Sequence, residues 1–285
     1  MTSVRTVLTV AALTIREASR RRVLLALAVL TLVLLAVSGW GFSRLAAEAG
    51  ANTLTSGEAR LTASILLNLV MFGFSLIAAL GTAFLAGPTL AGEIESGIAL
   101  AIMTRPIRRS AVLVGKWLGL VTFGGGFVAV AGLSQLLIVR ATVGYWPPQP
   151  VTGLALLAAQ TMVLLTLGLL LSTAISPMAS GIVAVGLFGA TWIAGVVGGV
   201  GEALGNESVE RVGTVSRMLL PTDGLWRGAM SAFQAPGLLS QFSEAFEGHP
   251  FLSDVHLTPV YLAWAGLWVA LVLGLAGLAF RRRDL

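Results

Sequence analysis

Charged residues that could dock a partner are concentrated in one stretch of the sequence, residues 92–119. This stretch holds two of the thirteen acidic residues, Glu93 and Glu95, and four of the eighteen basic residues. It also contains Pro106 and lies between two long apolar runs. Such a segment cannot lie in lipid hydrocarbon without partners, so we expect it in water or at a membrane surface. We interpret it as the part of the chain on which another protein acts.

The order of charges within this stretch predicts a short cytoplasmic helix over residues 91–110. Glu93 and Glu95 precede an apolar segment, Pro106 ends it, and arginines follow. Acidic residues at the start of a helix and basic residues at its end both complement the helix dipole. The alternative is a loop whose bases only set membrane topology, but topology does not require the Glu-x-Glu-x-Gly opening.

No pattern in the sequence indicates catalysis, and we expect neither an enzyme nor a cofactor in this chain. Gly115-Lys116 is followed by tryptophan, so the Ser/Thr of a phosphate-binding loop is missing. His249 and His256 flank Asp254, but this spacing fits no established zinc site, and we interpret the three as ordinary loop residues. The absence of cysteine excludes disulfides and thiolate metal sites.

The composition predicts an all-α polytopic membrane protein. Hydrophobic residues make up 56% of the 285 residues and charged residues only 11%, with a mean hydropathy of +0.90. Soluble domains are about 25% charged. The apolar runs are continuous rather than alternating, which argues against a transmembrane β-barrel. The bases lie beside these runs, so the high isoelectric point indicates contact with lipid and not with nucleic acid.

Six apolar runs approach or exceed the length of about 20 residues that a spanning helix needs. They are residues 23–42, 65–90, 111–139, 151–171, 181–201 and 260–280. We expect a polar loop over residues 43–64, an interruption of the third span at three consecutive glycines, 124–126, and a distorted last turn of the second span at Pro88. The glycines allow either a close approach of neighbouring helices or flexing of the helix.

Two further segments complete a single transmembrane domain. Residues 1–22 are predicted to form an amphipathic helix on the cytoplasmic leaflet, and the alternative is a solvated leader that only supplies positive charge. Residues 202–259 are predicted to form an extracytoplasmic loop, with short amphipathic or re-entrant helices. Gly195 and Gly199 form a GxxxG pair, for which we expect helix packing.

Basic residues indicate the orientation and the source of energy. The proposed inner segments hold twelve bases and the outer segments six, so both termini and the charged stretch are expected in the cytoplasm. Lys116, near an inner end, is the one charged residue within the six predicted spans. Because ion-coupled transporters usually keep an ionisable group at the midplane, we expect the energy to enter from outside the membrane domain.

Three motifs of the charged stretch resemble the inner loop of ATP-binding-cassette (ABC) transporter permeases of the type-2 exporter class. They are Glu93-x-Glu95-x-Gly97, Arg105-Pro106-Ile107-x-Arg109 and Leu113-x-Gly115-Lys116. Pro221-x-Asp223-x-x-x-Arg227 and the basic C-terminus are similar as well. The closest branch is the one that includes the membrane subunit of the nitrous oxide reductase maturation transporter. Arg108 and the lack of an asparagine before Pro221 depart from the pattern and leave the subfamily open.

This resemblance implies a pair of six-span subunits with two ATP-binding subunits on the cytoplasmic face of a bacterial-type plasma membrane. ATP and Mg would bind to those partner chains. The stretch after the second span would be the coupling helix. Its docking charges would be Glu93, Glu95, Arg105 and Arg109, and Gly97 and Pro106 would shape it. Substrate would pass between the two subunits along the second and fifth spans.

The sequence leaves several functions open. The uncharged spans favour export of an apolar or amphiphilic substrate by a homodimer, although the second subunit could be a homologous permease. One alternative is an ATPase-driven mechanotransmission or assembly module that acts on an extracytoplasmic partner without net transport. A secondary transporter is less favoured because the spans lack midplane charge, and an intramembrane enzyme because no nucleophile–base pair lies at one depth.

Overall fold

Helices account for nearly all of the described residues. The computed structural model describes residues 3–50, 56–95, 108–234, 250–253 and 257–282, and no strand occurs among them. These residues form nine helices: α1 (Ser3–Ser19), α2 (Arg22–Gly50), α3 (Ser56–Glu95), α4 (Arg109–Val143), α5 (Pro150–Ser172), α6 (Pro177–Ala203), α7 (Glu207–Leu219), α8 (Thr222–Phe233) and α9 (Pro259–Arg282). The predicted all-α class is confirmed.

Six of the described helices, α2 to α6 and α9, are long and apolar enough to cross a membrane, which confirms the predicted number. Their candidate spans are Arg22–Glu48, Ala59–Gly92, Arg109–Val143, Pro150–Ser172, Pro177–Ala203 and Pro259–Arg282. These helices alternate in direction, so Arg22, Arg109 and Arg281 lie at one end of the bundle. We call this the basic end, and the end that holds Tyr145 and Pro150 the opposite end.

The predicted polar loop over residues 43–64 is wrong in most of its length. Helix α2 continues to Gly50, and α3 begins at Ser56. Hydropathy marks where a hydrocarbon layer would end, but Leu45 and the alanines that follow it keep a high helix propensity beyond that point. Similarly, α3 continues past its predicted end at residue 90 as far as Glu95.

At the three glycines α4 is continuous, so they do not interrupt the third span, and close helix approach, the other reading of the sequence, is confirmed at Gly124. A Cβ atom at Gly124 would lie 2.9 Å from both Thr161 Cγ2 and Leu165 Cδ1 of α5. The close approach of α5 therefore requires a glycine there. Packing between α4 and α5 offsets the intrinsic cost of glycine, which is about 1 kcal/mol per residue in a helix. Helix α3 also continues through Pro88, and the distortion expected there stays a prediction.

The core lies around α3 and α5, whose spans have the largest buried fractions, whereas α2 is mostly exposed. The largest buried cluster joins these two helices to α8 through Met71, Phe74, Leu157 and Trp226. Although α8 is too short to span a membrane, it is almost entirely buried. It therefore belongs to the interior of the bundle.

Candidate functional site

The described parts of the charged stretch are the last turn of α3 and the first turns of α4, and both lie at the basic end. Glu93 and Glu95 occupy the last helical turn of α3, and Arg109 begins α4. Gly97, Arg105 and Pro106 lie outside the described residues. The docking roles of all six residues stay predictions. The contacts of α3 and α4 show which other helices would move with the charged stretch.

Arg109 connects the first turn of α4 to the last turn of α9. Its Nη1 atom donates to the carbonyl oxygens of Phe280 and Arg281, each at 3.3 Å. The last carbonyls of a helix lack intrahelical partners and carry the negative end of its dipole, so a guanidinium group stabilises them. This contact, between residues more than 170 positions apart, was not predicted from the sequence.

Lys116 connects α4 to α3 about two turns further into the bundle. Its side chain is buried, and Nζ donates to the carbonyl oxygen of Thr89 at 2.7 Å. The residue therefore joins two helices rather than only marking the edge of a membrane. Together, Arg109 and Lys116 tie α3, α4 and α9 into one unit at the basic end.

Helix α1 belongs to the same unit. It crosses α4 at Gly115 and Gly119, where a Cβ atom would lie 2.8 Å from the carbonyl oxygens of Val7 and Ala11, respectively. Two small residues four positions apart allow such backbone contact. Thr14 is buried on the contacting side of α1. The glycine of the Leu113-x-Gly115-Lys116 motif thus has a packing role, and the membrane-surface position of α1 stays a prediction.

Helices α7 and α8 form a hairpin that enters the bundle from the opposite end. Helix α7 runs antiparallel to α6, with Val209 against Gly201 and Gly213 against Gly198. The turn of the hairpin reaches Thr191, about halfway along α6, where the hydroxyl oxygens of Thr191 and Thr222 are 3.0 Å apart. We call α7 and α8 the re-entrant hairpin.

Helix α8 returns to the opposite end alongside α5. Its first residue, Thr222, accepts a hydrogen bond at its carbonyl oxygen from Gln160 Nε2 at 3.3 Å, and its last residue, Phe233, packs on Gly153. Ser75 Oγ of α3 donates to Gln160 Oε1 at 3.0 Å. Helices α5 and α6 therefore contact the turn of the hairpin through buried polar side chains, and α3 is connected to it through Gln160.

Aromatic side chains of α9 donate to the last carbonyl groups of α7 at mid-depth, where Met218 and Leu219 are exposed on the surface of the bundle. The carbonyl oxygen of Ser216 accepts from the Leu220 amide. The next three carbonyl oxygens accept from Tyr261 OH, Trp264 Nε1 and Trp268 Nε1, at 3.2, 3.2 and 2.8 Å. A helix end away from water must find such partners, because each unsatisfied carbonyl is costly. These donors explain how α7 can end at mid-depth.

A buried cluster of three charges holds the hairpin together. The Asp223 carboxylate lies 3.1 Å from Arg227 Nε and 3.4 Å from Arg217 Nε, with its side chain only 2% exposed. Arg227 Nη2 also donates to the carbonyl oxygen of Gly195 at 2.5 Å. Burial raises the pKa of the Asp223 carboxyl, and the two guanidinium groups act against that rise. We call these residues the ion cluster.

The predicted packing pair Gly195 and Gly199 lies against the ion cluster. The Asp223 carboxylate occupies the space where a Cβ atom of Gly195 would be, and a Cβ atom at Gly199 would lie 3.5 Å from Arg227 Nη2. On another face of α6, Gly198 and Gly201 contact α7. The glycine-rich sequence of α6 thus accommodates both helices of the hairpin.

Sequence patterns did not reveal the ion cluster as a site. Asp223 and Arg227 were selected only as a family-like motif, and Arg217 was not selected at all. The available signal was an acid flanked by two bases, six residues before and four after, among apolar residues. His249, Asp254 and His256 lie outside the described residues. Among the residues that the structure does describe, no three histidine, aspartate or glutamate side chains are grouped so that they could hold a metal ion.

The fold and this arrangement of contacts define a multi-pass helical membrane protein, with a charged stretch at one end and a re-entrant hairpin at the other. A family model described as "ABC-2 family transporter protein" matches residues 8–285. The chain belongs to this family, and no curated protein sequence matches it. The chain is therefore a membrane subunit of an ABC transporter, which implies a partner ATP-binding subunit.

Proposed function

We propose that this chain is the permease subunit of an ATP-driven exporter of an apolar or amphiphilic substrate. The observation that supports this function best is an aromatic cluster between α3 and α6. The ring of Phe72 lies 4.7 Å from that of Trp192, 5.8 Å from that of Phe251 and 5.4 Å from that of Trp226. Phe72, Trp192 and Phe251 are only partly buried. Their rings offer contact area to an apolar molecule.

Family membership supports the same proposal. Neither α3 nor α6 has a charged residue in its middle turns, and the charges that the hairpin brings beside α6 are held in the ion pairs of the ion cluster. The energy would come from ATP and Mg bound to a pair of ATP-binding subunits. Those subunits would dock on the charged stretch, through Glu93, Glu95, Arg105 and Arg109, with Gly97 and Pro106 shaping the docking helix. Both termini would face the cytoplasm, and a second copy of the chain would complete the path in a bacterial-type plasma membrane.

One observation favours a second candidate, force transmission to an extracytoplasmic partner without net transport. Helix α9 contacts the basic end through Arg109 and the re-entrant hairpin through Tyr261, Trp264 and Trp268. A single helix therefore links the two ends of the bundle. The resemblance to the nitrous oxide reductase maturation branch concerns the same charged stretch and leaves both candidates open.

A transport assay separates the two candidates. Inverted membrane vesicles that contain the permease and its ATP-binding subunits are given ATP and a panel of apolar and amphiphilic fluorescent probes. The export proposal predicts ATP-dependent accumulation of at least one probe. ATP hydrolysis without accumulation of any probe would refute it and favour force transmission.

The aromatic cluster is tested in the same vesicles with Phe72→Ala. An aromatic contact contributes about 0.5–1.5 kcal/mol beyond its buried area, so the KM for the accumulated probe should rise roughly twofold to tenfold. Phe84→Ala is the matched control, because Phe84 lies on the same helix, is exposed and is not part of the cluster. Equal KM values for the two variants would remove the cluster from the substrate path.

A further inference from the structure

A cavity of about 270 Å³ lies between α2, α3, α4 and α5, apart from the aromatic cluster and from the hairpin. Its wall is formed mainly by apolar side chains, among them Leu27, Ala78, Leu120, Phe123 and Leu165. Two threonines also line it, but their hydroxyl groups already donate to backbone carbonyls one turn earlier in their own helices. A water molecule needs two to four polar partners, so this cavity favours an apolar occupant.

The cavity lies in the half of the bundle nearest to the basic end and reaches its outer surface. Leu24, Leu27 and Ala28 line it from the first two turns of α2, and Ala28 is exposed. Its volume is many times the roughly 10–15 Å³ of cavity space that one water molecule requires. This volume suits a segment of one acyl chain and is too small for a whole lipid.

Basic side chains lie at the terminus of α2 nearest to this opening, close to its lining residues along the helix axis. Arg20, Arg21 and Arg22 form the corner between α1 and α2. At a rise of 1.5 Å per residue, Arg22 lies roughly 3–9 Å along the helix axis from the lining residues of α2. Arg21 pairs with Glu17 at 2.5 Å, whereas Arg20 and Arg22 are exposed and form no ion pair with any other described residue.

We propose that this cavity and corner bind one resident anionic phospholipid, with an acyl chain in the cavity and the phosphate between Arg20 and Arg22. The charge of the corner selects an anionic headgroup, and the dry wall of the cavity selects a hydrocarbon chain. The lipid would hold α2, which otherwise makes few buried contacts, against α3 and α4. The proposal does not depend on the substrate or on the direction of transport.

The test uses the full complex of permease and ATP-binding subunits in nanodiscs. The probe is phosphatidylglycerol with a photoreactive diazirine in its acyl chain, and phosphatidylcholine with the same chain is the comparison. Peptide mass spectrometry should locate phosphatidylglycerol adducts on the α2, α3 and α4 residues that line the cavity. Because a base near an anionic surface changes affinity roughly fivefold, Arg20→Gln with Arg22→Gln should lower this labelling more than tenfold and leave the phosphatidylcholine labelling unchanged.

Variants that fill the cavity test the acyl-chain half of the proposal. Ala78→Leu should reduce labelling at least fivefold, and Ala129→Leu, an exposed alanine of α4 outside the cavity, should not change it. Ala28→Phe is a second filling variant, because it begins at the exposed rim and needs no interior repacking. Unchanged labelling in both filling variants, or equal labelling by the two lipids, would overturn the proposal. Loss of the label on addition of ATP would identify the occupant as cargo and would overturn it as well.

Discussion

Replacing Asp223 by asparagine should destabilise the protein strongly, because it leaves Arg217 and Arg227 buried without their counter-ion. Asp223 lies within 3.4 Å of both guanidinium groups and is 2% exposed. Removing one partner of a buried ion pair costs about 3–5 kcal/mol. Asparagine keeps one acceptor for Arg227, so we expect a loss of unfolding free energy near the lower limit, about 3 kcal/mol.

The chain provides a matched control for this prediction in the same hairpin. Arg211 and Glu207 form another pair at i, i+4 and at the same 3.1 Å, but both side chains are more than three-quarters exposed. Exposed helical pairs contribute about 0.3–0.5 kcal/mol, so Glu207→Gln should have little effect. Unfolding is followed by circular dichroism during SDS titration of the purified permease. A loss below 1 kcal/mol for Asp223→Asn, or equal losses for both variants, would refute the structural role of the ion cluster.

Three further substitutions test other contacts. Gly195→Ala should cost about 1–3 kcal/mol of unfolding free energy because its methyl group would overlap the Asp223 carboxylate, whereas Gly189→Ala on the same helix meets open space and should not destabilise. Trp268→Phe removes the donor to the Leu219 carbonyl and should lower the unfolding free energy by about 1–3 kcal/mol. Trp40→Phe is the control, because Trp40 is exposed and its replacement should change little. Equal melting temperatures of the two variants would contradict the capping role. Gly119→Leu should detach α1, so a cysteine introduced at Thr14 should gain maleimide reactivity, while one at the exposed Thr9 reacts in both backgrounds.

The sequence predicted the membrane class and the number of spans because both follow from hydrophobic length. It placed helix ends poorly at residues 43–64, since leucine and alanine continue a helix beyond the hydrocarbon layer. At Gly124 it left close helix approach and a flexible interruption open, and the contact with Leu165 shows that close approach applies. The composition of one helix does not reveal the packing contacts that a helix distant in sequence makes with it.

The contacts of the site depend on residues far apart in the chain. Tyr261, Trp264 and Trp268 have a spacing typical of any helix face, and only the fold shows that they satisfy the last carbonyls of α7. Arg109 was predicted as a docking charge, and its contact with the last turn of α9 depends on the packing of α4 against α9. The docking roles of Glu93, Glu95 and Arg105 stay predictions.

The most direct test of the account is whether the charged stretch holds an ATP-binding subunit. The permease is purified from its native host in mild detergent, and its partners are quantified by mass spectrometry. The account predicts an ATP-binding-cassette chain at about one copy per permease, and its loss in the Glu93→Lys/Glu95→Lys variant with unchanged thermal stability. A permease recovered without such a chain, or one that keeps it fully in the variant, would contradict the account.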